Sequence, residues 1–97
     1  MRKFRVEFGS SSRGELDIER EEILEVVDER GLVRESLLRE FNSVREIENY
    51  WRDWYNIGDI EGVIDFIIEV REEELEEGID EGYILSEERF FRVVELK

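Results

Sequence analysis

Phe4-Arg5-Val6-Glu7-Phe8 alternates large apolar side chains with charged ones, the period of a strand with one face buried and the other in water. Near the far end, Phe91-Arg92-Val93-Val94-Glu95-Leu96 has similar strand chemistry, without the fixed period of an internal repeat. These two segments argue for a sheet built from both ends of the chain. After the first, Gly9-Ser10-Ser11-Ser12-Arg13-Gly14 reads as a turn, and Leu16 and Ile18 then alternate with Glu15, Asp17 and Glu19. The opening is therefore expected to be a β-hairpin with a longish loop. Before the last strand, Tyr83-Ile84-Leu85 reads as a further extended segment and Ser86-Glu87-Glu88-Arg89 as a turn.

The middle of the chain has helical spacing. From about Arg20, Ile23, Leu24, Val26 and Val27 cluster as on a helix, with Gly31 placed to end it. A second helical pattern runs through Val33, Leu37, Leu38 and Phe41. Ser43 with Glu46 fits a capping box and opens a third, with Val44, Ile47, Trp51, Trp54 and Tyr55 on one face; the second and third also read as one bent helix. Asp59 is the expected N-cap of a fourth, through Ile60, Val63, Ile64, Ile67, Ile68, Arg71 and Leu75 to Gly78. Its β-branched residues admit a strand around Val63 to Ile68, but length and flanking glycines favour the helix. The expected fold is α+β: a small, mainly antiparallel sheet from the N-terminal hairpin and the C-terminal strands, packed against three to four helices. Residues 1–97 show no composition break and read as one acidic domain.

The net charge of −14 is unevenly placed. Residues 1–45 hold nine bases against eleven acids, and residues 46–97 five against seventeen. Between Asp59 and Glu88 thirteen acids face one base, Arg71. A field of one sign selects cationic partners and repels nucleic acid and anionic membranes. The chain has no cysteine and no histidine, which removes disulfides, thiolate chemistry, the usual general base and most transition-metal ligands. No cofactor and no metal are expected, nor an enzyme. Met1, Arg2, Lys3 and Arg5 are not followed by an apolar run, so neither a signal peptide nor a membrane span is expected, and the location is read as cytoplasmic, the host cytoplasm for a viral protein. Twelve Arg against two Lys, abundant Glu and no Pro also fit heat adaptation, although a stabilising network needs both signs close together.

The run Glu72-Glu73-Glu74-Leu75-Glu76-Glu77 is the sharpest local signal. On a helix, Glu72 with Glu76 and Glu73 with Glu77 repel at i,i+4, and all lie at a C-terminus where the macrodipole disfavours anions. Such placement suits a partner better than stability; the competing reading is a solvated face. Glu35 with Arg39 and Glu48 with Arg52 are, by contrast, favourable i,i+4 pairs of structural character. Tyr50, Trp51, Trp54 and Tyr55 crowd one helix, more than one stripe buries in a small core, so Trp51 with Trp54 or Tyr55 is assigned to the core and Tyr50 with one other to the surface. The segment from Glu77 to Glu88 matches a calcium loop at Gly82, Ile84 and Glu88, but Ile79 and Leu85 occupy ligand positions. Gly9 to Gly14 lacks the Lys-Ser/Thr of a phosphate loop, and no nucleophile and base stand at a recognisable spacing.

Two readings follow. In charge, size and lack of catalytic residues the chain is similar, by composition alone, to the acidic DNA-mimic proteins that viruses and mobile elements use against restriction or CRISPR systems. That likeness implies a non-enzymatic inhibitor or regulator whose carboxylates stand in for phosphates in the basic cleft of a nucleic-acid-binding protein. The residues expected to meet that partner are Asp59, Glu61, Asp65, Glu69, Glu72, Glu73, Glu74, Glu76, Glu77, Asp80, Glu81, Glu87 and Glu88, with Tyr50 or Trp54 as aromatic anchors. Among them Glu61, Asp65, Glu69, Glu72, Glu73 and Glu76 step by three or four and form a continuous helical stripe. The alternative is a structural or homo-oligomeric module of a heat-adapted organism or virus, its acidity serving solubility and stability. A homodimer would have to use the aromatic or sheet surface, because acidic faces repel.

Overall fold

The computed structural model describes residues 1–12 and 15–97. Along the described residues run β1 (Arg2–Ser12), β2 (Glu15–Val26), α1 (Glu29–Glu40), α2 (Val44–Tyr55), α3 (Ile60–Glu76), β3 (Tyr83–Ile84) and β4 (Arg89–Leu96). The four strands form one antiparallel sheet in the order β2-β1-β4-β3, so both ends of the chain meet at its centre. The arrangement is α+β, with three helices covering one face of the sheet.

Alternation in β1 puts Phe4, Val6 and Phe8 into the core, where Leu24 and Val26 of β2, Phe91 of β4 and Tyr83 of β3 join them. From the helices come Leu32, Val33 and Leu37 of α1, Ile47 and Trp51 of α2, and Ile60, Val63, Ile64 and Ile67 of α3. Within the sheet Phe91 stacks on Tyr83 with ring centroids 4.7 Å apart.

The hairpin differs from its sequence reading. The segment from Arg20 to Val26 is not a helix but the second half of β2, paired residue for residue with β1 from Arg20 opposite Phe8 to Val26 opposite Arg2. Leu24 and Val26 are buried whereas Ile23 is 52 % and Val27 73 % exposed, which is the period of a strand. Gly31 does not end a helix; it lies in the first turn of α1, where its N–H donates to Oδ1 of the N-cap Asp28 at 2.9 Å. The loop is also shorter than expected, since Ser10, Ser11 and Ser12 lie opposite Asp17, Leu16 and Glu15; Arg13 and Gly14 lie outside the described residues. A bulge between Phe8 and Gly9 shifts the register, and only glycine fits there: a Cβ on Gly9 would stand 2.1 Å from the carbonyl oxygen of Asp17.

The other helix boundaries follow their caps. Ser43 Oγ accepts from the Glu46 N–H at 3.2 Å, and the Glu46 carboxylate reaches back to the N–H of Asn42 at 3.0 Å. α1 and α2 are separate helices, broken at Phe41 in extended conformation. α2 ends on Asn56 in the left-handed region, φ 58°. Asp59 caps α3 through the Gly62 N–H at 3.1 Å. The expected Glu35–Arg39 pair forms at 2.7 Å. Glu48 does not bridge to Arg52; its carboxylate accepts from the Ile60 N–H at 3.0 Å, because an unpaired donor at a helix N-terminus is a better site for an anion than a solvated guanidinium.

Candidate functional site

The thirteen acids singled out between Asp59 and Glu88 divide into three environments. The first lies along the start of α3. Asp59 is spent on its cap, and Glu61 and Asp65 face α1, where Arg30 bridges both and Arg34 also engages Glu61. Arg30 and Arg34 stand one turn apart on α1, matching the one-turn spacing of Glu61 and Asp65. Hydrogen bonds from these guanidinium groups hold the Glu61 carboxyl below the usual carboxylate range. This end of the stripe is charge-compensated and braces two helices.

The second environment is the C-terminal half of α3 and the segment after it. Glu69, Glu72, Glu73, Glu76, Glu77 and Glu81 are exposed and have no ion-pair or hydrogen-bond partner for their carboxylates among the described residues. The last turn of α3 holds no base. Asp80 is set apart, held by Arg71 at 2.8 Å, and that guanidinium also lies over the Tyr83 ring, 5.2 Å from its centroid. Glu74 is turned inward. One of its oxygens is buried with no hydrogen-bond partner, and burial, reinforced by Glu81, pushes its carboxyl up. Leu75 and Ile79 stand exposed among these acids, 48 % and 39 %.

The third environment is the turn between β3 and β4. Glu87 and Glu88 are exposed there; the Glu87 N–H donates to the Tyr50 hydroxyl at 2.7 Å, and the Glu88 carbonyl accepts from the Ser11 N–H at 3.0 Å. Trp54 stacks on Tyr50 at 6.0 Å and is 59 % exposed, whereas Trp51 is fully buried against Tyr55 at 4.3 Å. Of the two candidate core partners for Trp51 the structure thus selects Tyr55, and Trp54 and Tyr50 form a surface pair beside an acidic turn.

Two shallow pockets flank β4. One, about 270 Å³, is lined by Arg2, Phe4, Glu29, Leu32, Tyr83 and Val93, and its single carboxylate accepts from the Tyr83 hydroxyl at 2.6 Å. The other, about 240 Å³, is lined by Glu7, Arg71, Asp80, Arg92, Val93 and Val94, with each acid paired to an arginine. Among the described residues no group of three or more carboxylates converges as metal ligands would, and no helix is long and apolar enough to cross a membrane.

Comparison with protein-family models, with curated proteins and with solved structures finds no match to this chain.

The residues that sequence reasoning missed are Arg30 and Arg34. Their signal was present as two arginines at i,i+4, but it is legible only once α1 is known to begin at Glu29.

Proposed function

We propose that this protein is a non-enzymatic inhibitor or regulator that occupies a basic cleft of a nucleic-acid-binding protein, its carboxylates taking the place of phosphates. One observation carries the reading: Glu69, Glu72, Glu73, Glu76 and Glu77 form an exposed ridge without a cation among the described residues, at the helix end where anions are least favoured. The contrast within α3 gives this weight. The same helix neutralises Glu61 and Asp65 with arginines, so compensation is available to this fold and is not applied to the ridge. Such a ridge favours fast, salt-sensitive association with a cationic groove. The Glu87–Glu88 turn with Tyr50 and Trp54 is a second contact of the same sign, carrying an aromatic anchor. Glu61, Asp65 and Asp80, already paired, contribute least.

The test compares wild type with a Glu72→Lys, Glu73→Lys, Glu76→Lys, Glu77→Lys variant in affinity capture from source-cell lysate, at about 0.1 M and about 0.5 M salt. Support is retention of a nucleic-acid-handling protein by wild type, its release by high salt and by competing nucleic acid, and its absence from the variant. Because reversal suits the helix dipole and makes position 73 opposite in charge to Glu69, offsetting the like-charge i,i+4 pairs that persist at 72/76 and 73/77, the variant is expected to fold about as stably, so lost capture reads as lost binding. Identical capture by both proteins would assign the ridge to solvation. Single Glu→Ala changes should matter little for a distributed field; one that abolishes capture would point to a local hot spot instead.

A further inference from the structure

Among the described residues the sheet has helices on one face only, and its other face is built in rows that the strand register defines. In successive rows β1 places Gly9, Glu7, Arg5 and Lys3 at the centre. Beside Gly9 stand Ile18 of β2 and Phe90 of β4; beside Glu7 stand Glu21 and Arg92; beside Arg5 stand Ile23 and Val94; beside Lys3 stand Glu25 and Leu96. Three bases balance three acids here, on a molecule whose net charge is −14. Ile18, Ile23 and Val94 are 38 %, 52 % and 44 % exposed. An exposed aliphatic residue is ordinary alone, and these three are separated from one another by Arg5 and by the Glu21–Glu7–Arg92 row; what marks the face is that they stand among balanced charges on an acidic molecule.

We propose that this face binds a second copy of the chain, sheet on sheet, about a twofold axis running along β1. The register supports this choice of axis. Rotation about such an axis keeps each row in place and lays β2 over β4 of the second copy. Ile23 then meets Val94, Ile18 meets Phe90 and Glu21 meets Arg92, each contact occurring twice. A twofold axis across the strands would instead set Glu21 against Glu25 and Ile23 against itself. On the axis Lys3, Arg5 and Glu7 meet their own copies; Arg5 and Glu7 lean sideways onto opposite charges, Arg5 towards Glu21 at 4.0 Å and Glu7 towards Arg92 at 3.5 Å, whereas Lys3, exposed in the last row, opposes the pairing there. Aligned sheets pack about 10 Å apart at about −30°, which keeps the central rows in register and lets the outer ones diverge. Charge selects the same face, since two chains of this net charge can approach closely only where neither is acidic.

The experiment is sedimentation velocity on the full chain from about 1 µM to about 1 mM, the span of weak self-association. Wild type is expected to form a dimer that strengthens with salt, the opposite of the salt response of the acidic ridge. Val94→Glu and Ile23→Lys, each spoiling two symmetry-related contacts, should weaken it more than about tenfold. Both positions are exposed in the single chain, so circular dichroism of each variant should match wild type. The deciding arm mixes the two variants in equal amounts. A mixed dimer then has one native Ile23–Val94 contact and one in which the introduced lysine faces the introduced glutamate, so dimerisation is expected to return. Wild type that stays monomeric throughout, a Val94→Glu protein that still dimerises as wild type, or a mixture that stays monomeric would each overturn the proposal.

Discussion

Tyr83 shows how single residues join the layers of this molecule. Its ring is buried and stacked on Phe91, Arg71 lies over it, and its hydroxyl donates to Glu29 in the first turn of α1. Burial, and then the hydrogen bond to Glu29, push the phenol well above its ordinary value. Tyrosine is an acid, so a raised folded value means stability that is full below the unfolded pKa of about 10 and declines as pH rises beyond it. Tyr83→Phe is expected to cost about 1.5–3 kcal/mol at neutral pH, the worth of a hydrogen bond to a charged group. Above about pH 10 the gap should close, because only wild type carries Tyr83, whose ionisation there favours the unfolded chain, while Tyr50 and Tyr55 are common to both proteins. Urea unfolding of both proteins at neutral and alkaline pH checks this, and an absorbance titration should show Tyr83 silent where free tyrosine ionises.

Among the elements, β2 carries the clearest lesson. Its twelve residues and the one that follows include Ile23, Leu24, Val26 and Val27, a cluster that satisfies helical spacing as well as strand spacing, and local pattern alone does not separate the two. Long-range pairing decides: β1 offers an unbroken ladder from Arg2 to Phe8, and the bulge at Gly9 lets it continue. Leu24→Ala is therefore expected to cost about 2–4 kcal/mol, and Ile23→Ala less than about 1 kcal/mol, in chemical denaturation. Equal costs would contradict strand geometry. Elsewhere the local signals sufficed. The caps Ser43 and Asp59 and the β1 and β4 alternations were legible because each rests on chemistry within a few residues. Of the candidate site, the acidic run of α3 was legible from its own sequence. Its division at Arg30 and Arg34 was not, since that depends on how α1 lies across α3.

At the scale of the whole molecule, net charge competes with local pairing. The chain has a radius of gyration of 12.8 Å, and its excess acids repel across that distance when salt is low. Going from about 0.01 M to about 0.1 M salt shortens the screening length from about 30 Å to about 10 Å. The ion pairs it also weakens are mostly exposed, such as Arg2–Glu95 and Arg30–Glu61, and solvent screens each of them already. Self-repulsion therefore outweighs them, and the urea midpoint is expected to rise with sodium chloride over that range; a fall would show that the pairs dominate. Placing the acidic ridge of α3 in the helical layer and a charge-balanced face on the opposite side of the sheet has a consequence for motion as well as for energy. The molecule is an electric dipole, and a cationic surface exerts a torque on it before any atoms touch. Rotational diffusion is thereby biased, so that a larger share of collisions with such a surface begins ridge first.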